Sequence, residues 1–194
     1  MLVPDDLETP AVVVDAERVD RNLTRMAVAA GRAGVALRPH AKTHKCLPIA
    51  RRQLSLGAAG LTVATLLEAE AFASEGCPSV FIAYPLWAGS GDRGARLAAL
   101  RGLTSLRAGV DSEAAAVVLA AAAPGLEVLI EVDSGQHRSG VVVSQVTSLA
   151  VSCAKLGLVV TGAFTHPGTP TARLPRLGTR RAMSARRLPG PAKP

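Results

Sequence analysis

The chain has 194 residues, 48% of them hydrophobic but only 3% aromatic, and a formal net charge of +7. That length suits one domain with one core, and a core so poor in aromatics must be built from Ala, Val and Leu, as in helix-covered parallel sheets. No apolar run approaches the roughly 18 residues of a membrane span, and Cys46, Cys77 and Cys153 are too widely spaced and odd in number for a disulfide framework or a zinc ribbon.

The N-terminus is acidic and lacks the basic-then-apolar order of a signal peptide, so a cytoplasmic location is expected, in keeping with the cysteine usage. After Pro10, Val12-Val13-Val14 reads as a short strand. Asp15 is a candidate N-cap for a helix with Val19, Leu23, Met26 and Ala30 on one face, stopped by Gly31 and Gly34. A strand over residues 35–40 follows. It runs into Arg38-Pro39-His40-Ala41-Lys42-Thr43-His44-Lys45, an unusual crowding of lysine and histidine behind an apolar run. If that stretch is extended, period-two alternation puts Arg38, His40 and Lys42 on one face. A barrel carries its reactive groups at the C-terminal ends of its strands. Partial desolvation among other cations there would lower a lysine's pKa and suit it to Schiff-base chemistry. The i,i+4 spacing of His40 and His44 would suit two metal ligands on a helix, but a strand end behind Pro39 does not provide one.

Apolar runs and helical patterns then alternate, the mark of a parallel βαβ sheet. Pro48 opens a helix to Leu56. Strands are expected over residues 60–64, 80–84, 106–110, 127–132 and 158–164, with helices over 66–75, 93–101, 112–123 and 144–156 between them. Counted from Val35, these make six strands, too few for a closed eight-stranded barrel. A doubly wound sheet is the alternative, but no Gly-rich dinucleotide fingerprint follows any strand, and Gly135 and Gly140 fit neither that pattern nor a P-loop.

Character changes after residue 168. Residues 169–194 hold seven basic side chains and no acidic one, which leaves 15 basic against 15 acidic in the rest. The high charge therefore belongs to the tail, which is rich in Pro, Arg and Gly and expected to be disordered. It could be an arm for an acidic partner, although GC-rich coding sequence read out of frame gives the same composition; nucleic acid is not the expected partner.

Several segments together resemble the D-threonine aldolase and D-serine dehydratase family, pyridoxal 5'-phosphate enzymes of the alanine-racemase-like barrel type. They are the run from Leu37 to Lys45, Thr9-Pro10-Ala11-Val12-Val13-Val14-Asp15, Thr62-Val63-Ala64-Thr65, Ala83-Tyr84-Pro85-Leu86-Trp87, the run Glu131-Val132-Asp133-Ser134-Gly135-Gln136-His137-Arg138-Ser139-Gly140-Val141, and Gly162-Ala163-Phe164-Thr165-His166-Pro167-Gly168. The resemblance covers about residues 7–168 in order. It implies an α/β fold, an incomplete TIM-like (β/α) barrel of about six βα units over 1–168, with the family's C-terminal β-domain missing.

Residue by residue, the resemblance makes Lys42 the lysine that binds the cofactor covalently. Arg138 is the group that approaches the cofactor's phenolic oxygen, and His166 packs near its ring; His40, read on the same face as Lys42, is a candidate cofactor-site residue that either tunes Lys42 or is structural. Lys45 is a surface or structural charge. The family uses a divalent metal, zinc or manganese, through a His with a Cys or Asp far toward the C-terminus; these ligands and a Gly-rich phosphate cradle have no counterpart after Pro167. The expected activity is that of a D-amino-acid lyase acting on D-β-hydroxy amino acids, inactive or weakly active in this chain alone, with a homodimer as an open option. An amino-acid racemase and a non-catalytic pyridoxal-phosphate-binding protein are the alternatives; a racemase typically draws a tyrosine from the partner subunit, and Tyr84 is the sole tyrosine.

Overall fold

A computed structural model describes residues 7–167 of the chain. Five parallel strands form its sheet: β1 (Leu61–Val63), β2 (Ser79–Pro85), β3 (Ser105–Val110), β4 (Glu127–Glu131) and β5 (Val159–Phe164). They lie side by side in chain order, β1-β2-β3-β4-β5. An order that never reverses is the winding of a barrel and not of a doubly wound sheet, which needs a switch point. Helices α1 (Ala16–Arg32) and α2 (Leu47–Ser55) precede β1, and α3 (Leu66–Ser74), α4 (Arg93–Leu100), α5 (Glu113–Ala122) and α6 (Val146–Lys155) alternate with the strands. The result is an α/β partial barrel.

The helix starts follow local chemistry. Asp15 caps α1 by accepting from the Arg18 N–H at 2.9 Å, Thr65 caps α3 and Ser112 caps α5. At α2 a proline in the first turn takes the place of a side-chain cap. Alternation then divides the strands into two faces. Val80, Ile82, Ala108, Val110, Val128 and Ile130 face the helices and are fully buried, with Leu97, Leu100 and Leu119 packed into the same core. The other set, Thr62, Phe81, Arg107 and Glu127, lies in register across the inner face. Phe81 there meets Phe164 edge-on, with centroids 4.9 Å apart.

Two expected strands are corrected. Val12–Val14 forms none; Val12 is 94% exposed, and among the described residues no backbone lies alongside to pair with it. Residues 35–40 run beside β1, but the backbone tie is one bridge, His40 to Thr62, and two bonds, Ala59 N–H to the Leu37 carbonyl and Thr62 N–H to the Pro39 carbonyl, both 2.8 Å. Pro39 has no N–H to donate, so the ladder does not propagate. The sixth barrel position is therefore occupied by a largely irregular segment. The expected domain boundary at 168 and the tail 169–194 lie outside the described residues.

Arg38 explains how that segment still holds its place. Its guanidinium reaches beneath the start of the sheet, donating to the carbonyls of Ala59 (3.3 Å) and Ser79 (3.1 Å) and to the Ser79 hydroxyl (2.9 Å). Burial and the nearby Arg107 both push its pKa down. Gly60, at φ +144°, leaves room for it, because a Cβ there would lie 2.4 Å from the Arg38 guanidinium. Arg38→Met keeps the aliphatic stem but orphans these carbonyls. It is expected to cost roughly 2–3 kcal/mol in denaturant unfolding, the scale of hydrogen bonds to a charged group.

Candidate functional site

The C-terminal ends of the strands carry the candidate residues on three pieces of chain. The first follows His40. A single helical turn, Ala41–Thr43, begins there because the His40 ring accepts from the Lys42 N–H at 3.4 Å and the Thr43 hydroxyl donates to the His40 carbonyl at 3.2 Å. This turn corrects the extended reading. Arg38, His40 and Lys42 do not share a face: Arg38 points to the opposite end of the sheet, and Lys42 rides on the turn with its side chain exposed, not desolvated.

The far end of the turn is fastened by Lys45, whose backbone takes φ +46° and whose ammonium lies 3.1 Å from Glu68. Burial would push the Glu68 carboxyl up, but the Ala64 N–H at 2.8 Å and the Lys45 ammonium outweigh it and hold it below the usual range. Lys42 is thus presented by a turn closed at both ends. His40 is held below the usual imidazole range by burial and by Lys42, with smaller opposing help from Glu68. It accepts at Nδ1, so its neutral form carries the proton on Nε2. His44 takes a structural role: its Nδ1 accepts from the Cys46 N–H at 3.0 Å. Among the described residues no group of three or more His, Cys, Asp or Glu is placed to hold a metal ion.

The second piece is the loop after β4. Asp133 organises it, with one carboxylate oxygen accepting from the backbone N–H groups of Gly135, Gln136 and His137 at 2.9–3.1 Å and the other lying 2.8 Å from the His137 ring. These bonds hold the Asp133 carboxyl below its usual range. With Asp133 so engaged, the Arg138 guanidinium lies over the Tyr84 ring at 5.9 Å. The loop closes at Gly140, whose N–H donates to Asp111, and Val141 returns to bond with the Glu131 carbonyl at 2.9 Å.

The third piece follows β5 and carries His166. Its charge is felt at His40 and at Glu131, and that of Arg138 is felt at Glu131 as well. His40, Glu131, Arg138 and His166 therefore share one electrostatic neighbourhood, with Lys42 beside His40.

Glu131 was not anticipated as a site residue. It ends β4 on the inner face, is 3% exposed, and has one oxygen accepting from the Ser139 hydroxyl at 3.0 Å while the other, Oε2, has no partner. The available signal was alternation, since Glu127, Leu129 and Glu131 fall on one side of the strand. Burial pushes its carboxyl above the usual range; Ser139 opposes that, Asp111 adds to it, and Arg138 and His166 oppose it. The folded chain therefore binds this proton more tightly than the unfolded chain does. The stability it contributes is fully present below the ordinary glutamate pKa of about 4.3 and is lost as pH rises through the raised value. Thermal unfolding over a pH series is expected to show Glu131→Gln gaining on the parent chain across that rise.

An apolar groove of about 590 Å³ lies between residues 12–14, α1 and α2, lined by Val12, Val14, Val19, Leu23 and Ile49 and bordered by Thr43 and His44 of the turn. Lys42, His40, Arg138 and His166 are not part of its lining. No helix among the described residues is long and apolar enough to cross a membrane.

Comparison with known proteins agrees with this fold. The family model described as alanine racemase, N-terminal domain, matches residues 14–185. D-threo-3-hydroxyaspartate dehydratase of Delftia sp. (strain HT23) is 38% identical over 170 residues, which is 84% of this chain and 44% of that protein. D-threonine aldolase of Arthrobacter sp. is 37% identical over 140 residues, 70% of this chain and 36% of that protein. Among solved structures, D-threonine aldolase from Filomicrobium marinum superposes with a TM-score of 0.75 at 34% identity, covering 81% of this chain and 44% of that one. The chain thus spans less than half the length of these relatives.

Proposed function

Because the chain belongs to the alanine racemase N-terminal domain family, we propose that it holds pyridoxal 5'-phosphate on Lys42 and serves as the cofactor-binding portion of a lyase for D-β-hydroxy amino acids. The observation that carries this reading is the grouping at the barrel mouth. An exposed amine on a braced turn stands beside a neutral-leaning His40, and the organised loop after β4 carries an arginine over the Tyr84 ring.

These residues fit the cofactor's chemistry. An aldehyde needs an amine, which Lys42 supplies. An ionised phenolic oxygen needs a fixed cation, which Arg138 supplies from above Tyr84. His40 turns its Nδ1 to the Lys42 backbone N–H and stands beside the amine with its own pKa held down by burial and by Lys42. His166, on the segment after β5, is the residue proposed to pack against the cofactor ring. When bound, the cofactor supplies an electron sink for negative charge at the substrate Cα. A divalent metal, zinc or manganese, would polarise the β-hydroxyl in the longer relatives; no residue of this chain is assigned to it.

The two lyase relatives favour cleavage or elimination over racemisation. The two branches give different products. Cα–Cβ cleavage of D-threonine yields glycine and acetaldehyde. Elimination from D-threo-3-hydroxyaspartate, followed by hydrolysis, yields ammonia and a 2-oxo diacid. The test supplies the whole chain with the cofactor and each enantiomer. Cofactor held by the parent chain and released in Lys42→Ala, with at most weak product and that from the D form alone, is the expected result. Equal product from both enantiomers, unchanged in Lys42→Ala, would overturn it.

A further inference from the structure

We propose that Arg93 is a specificity-determining residue, which receives a carboxylate carried on the substrate's β-carbon. The proposal deepens the reading of Lys42 as the cofactor lysine and rests on it. A pocket of about 380 Å³ opens between the ends of β1 and β2 and the first turns of α3 and α4. Its walls belong to the same pieces of chain that brace the candidate site. Thr65, on one wall, caps α3, and Glu68 in that first turn holds the Lys42 turn through Lys45. Tyr84, on another wall, carries the Arg138 guanidinium over its ring. The pocket therefore adjoins both the lysine turn and the arginine loop.

Its lining holds two arginines and no carboxylate. Arg96 is already engaged: two of its nitrogens donate to Glu70, at 2.7 and 2.6 Å, and Asp92 lies 3.6 Å from the third. Arg93 is exposed, and among the described residues it pairs with no carboxylate; its guanidinium is tied to the pocket rim by a 3.5 Å bond to the Trp87 carbonyl. Trp87 itself is half-exposed, and its indole N–H is a second donor on the same rim. A guanidinium takes a carboxylate through two parallel N–H bonds, which fixes direction as well as distance. A methyl group on the β-carbon would use the apolar wall at Leu66 and Leu86 and would need neither donor. An uncommitted cation among apolar and aromatic walls suits an anionic substituent on a short carbon stem.

Trp87 is the sole tryptophan of the chain, so its fluorescence reports this pocket alone. The first arm titrates the whole chain without cofactor, at constant ionic strength, with propionate and with its neutral counterpart propionamide. Propionate should change the fluorescence saturably and propionamide should not. Arg93→Gln should weaken propionate about tenfold, the scale of one charge-assisted hydrogen bond, and Arg93→Lys should restore part of the loss. The second arm follows cofactor absorbance in the loaded chain. Arg93→Gln should weaken D-threo-3-hydroxyaspartate about tenfold and D-threonine less than twofold. No saturable response to propionate, or one that Arg93→Gln leaves unchanged, overturns the proposal. Equal weakening of both amino acids also overturns it, by leaving Arg93 a merely structural role. If the parent chain takes no cofactor on Lys42, the functional reading fails, and the first arm still decides whether the pocket receives a carboxylate.

Discussion

Replacing Lys42 by alanine is expected to lower the affinity for pyridoxal 5'-phosphate at least a hundredfold, measured by absorbance titration, with almost no effect on folding. The two halves of that expectation have separate causes. Affinity falls because the covalent link is lost and the remaining contacts are a single guanidinium and ring packing. Stability holds because the Lys42 side chain is exposed and makes no ion pair among the described residues; exposed substitutions of this kind change unfolding free energy by about 0.5 kcal/mol or less. Lys45→Ala is the natural control. It removes the 3.1 Å pair with Glu68 that fastens the turn, so it should loosen Lys42 without removing it. A stability loss of about 1 kcal/mol or less and a several-fold weaker affinity are expected, since the ammonium is largely exposed. Equal affinities for Lys42→Ala and Lys45→Ala would show that the wrong lysine has been chosen.

The second large effect is expected at Gly140. Its φ is +96°, a region side chains rarely adopt, and a Cβ there would lie 2.7 Å from the Asp133 nitrogen and 2.9 Å from the Val132 carbonyl carbon. Both are backbone atoms locked in place, because the Val132 N–H bonds to Phe164 at 2.8 Å and the Asp133 N–H to Val141 at 2.9 Å. Neither side can yield, so Gly140→Ala is expected to destabilise by about 3 kcal/mol or more, backbone strain and overlap together. Gly135, five residues earlier in the same loop, separates the two causes. Its φ is +108°, yet nothing lies within 4 Å of its would-be Cβ. Gly135→Ala should show the strain alone, about 1–2 kcal/mol. Denaturant unfolding of both variants tests the comparison; similar losses would mean that the tight return of the loop onto Glu131 is wrong.

Much of this fold was legible because its strands are apolar runs bounded by glycine and its helices begin at Asp15, Thr65 and Ser112. Those signals are local, and local signals survive folding. The failures came where pairing decides. Val12 to Val14 has strand composition, but a strand exists only with a neighbour. Residues 35–40 have a neighbour, but Pro39 cannot extend the ladder, and the chain turns helical at Ala41, so alternation could not carry from Arg38 to Lys42.

The candidate site divides in the same way. Lys42, Arg138 and His166 were named from motif resemblance, which records chemistry but not support. Glu68 and Glu131 brace the turn and the loop that carry Lys42 and Arg138 through contacts that join separate pieces of chain, Glu68 to Lys45 and Glu131 to Ser139, and Asp133 organises that loop from within. An acidic residue closing an apolar strand looks like an ordinary solvated end. Only the return of the loop at Gly140 buries Glu131, and linear spacing does not reveal that return.

The most direct test of the central claim is borohydride reduction of the whole chain equilibrated with pyridoxal 5'-phosphate, followed by peptide mapping. The chain has only four lysines, at 42, 45, 155 and 193, so each site can be scored separately. Cofactor on Lys42, approaching one per chain while the other three stay largely unlabelled, is the predicted result. Label spread evenly over the four, or concentrated on Lys155 or Lys193, would contradict the account.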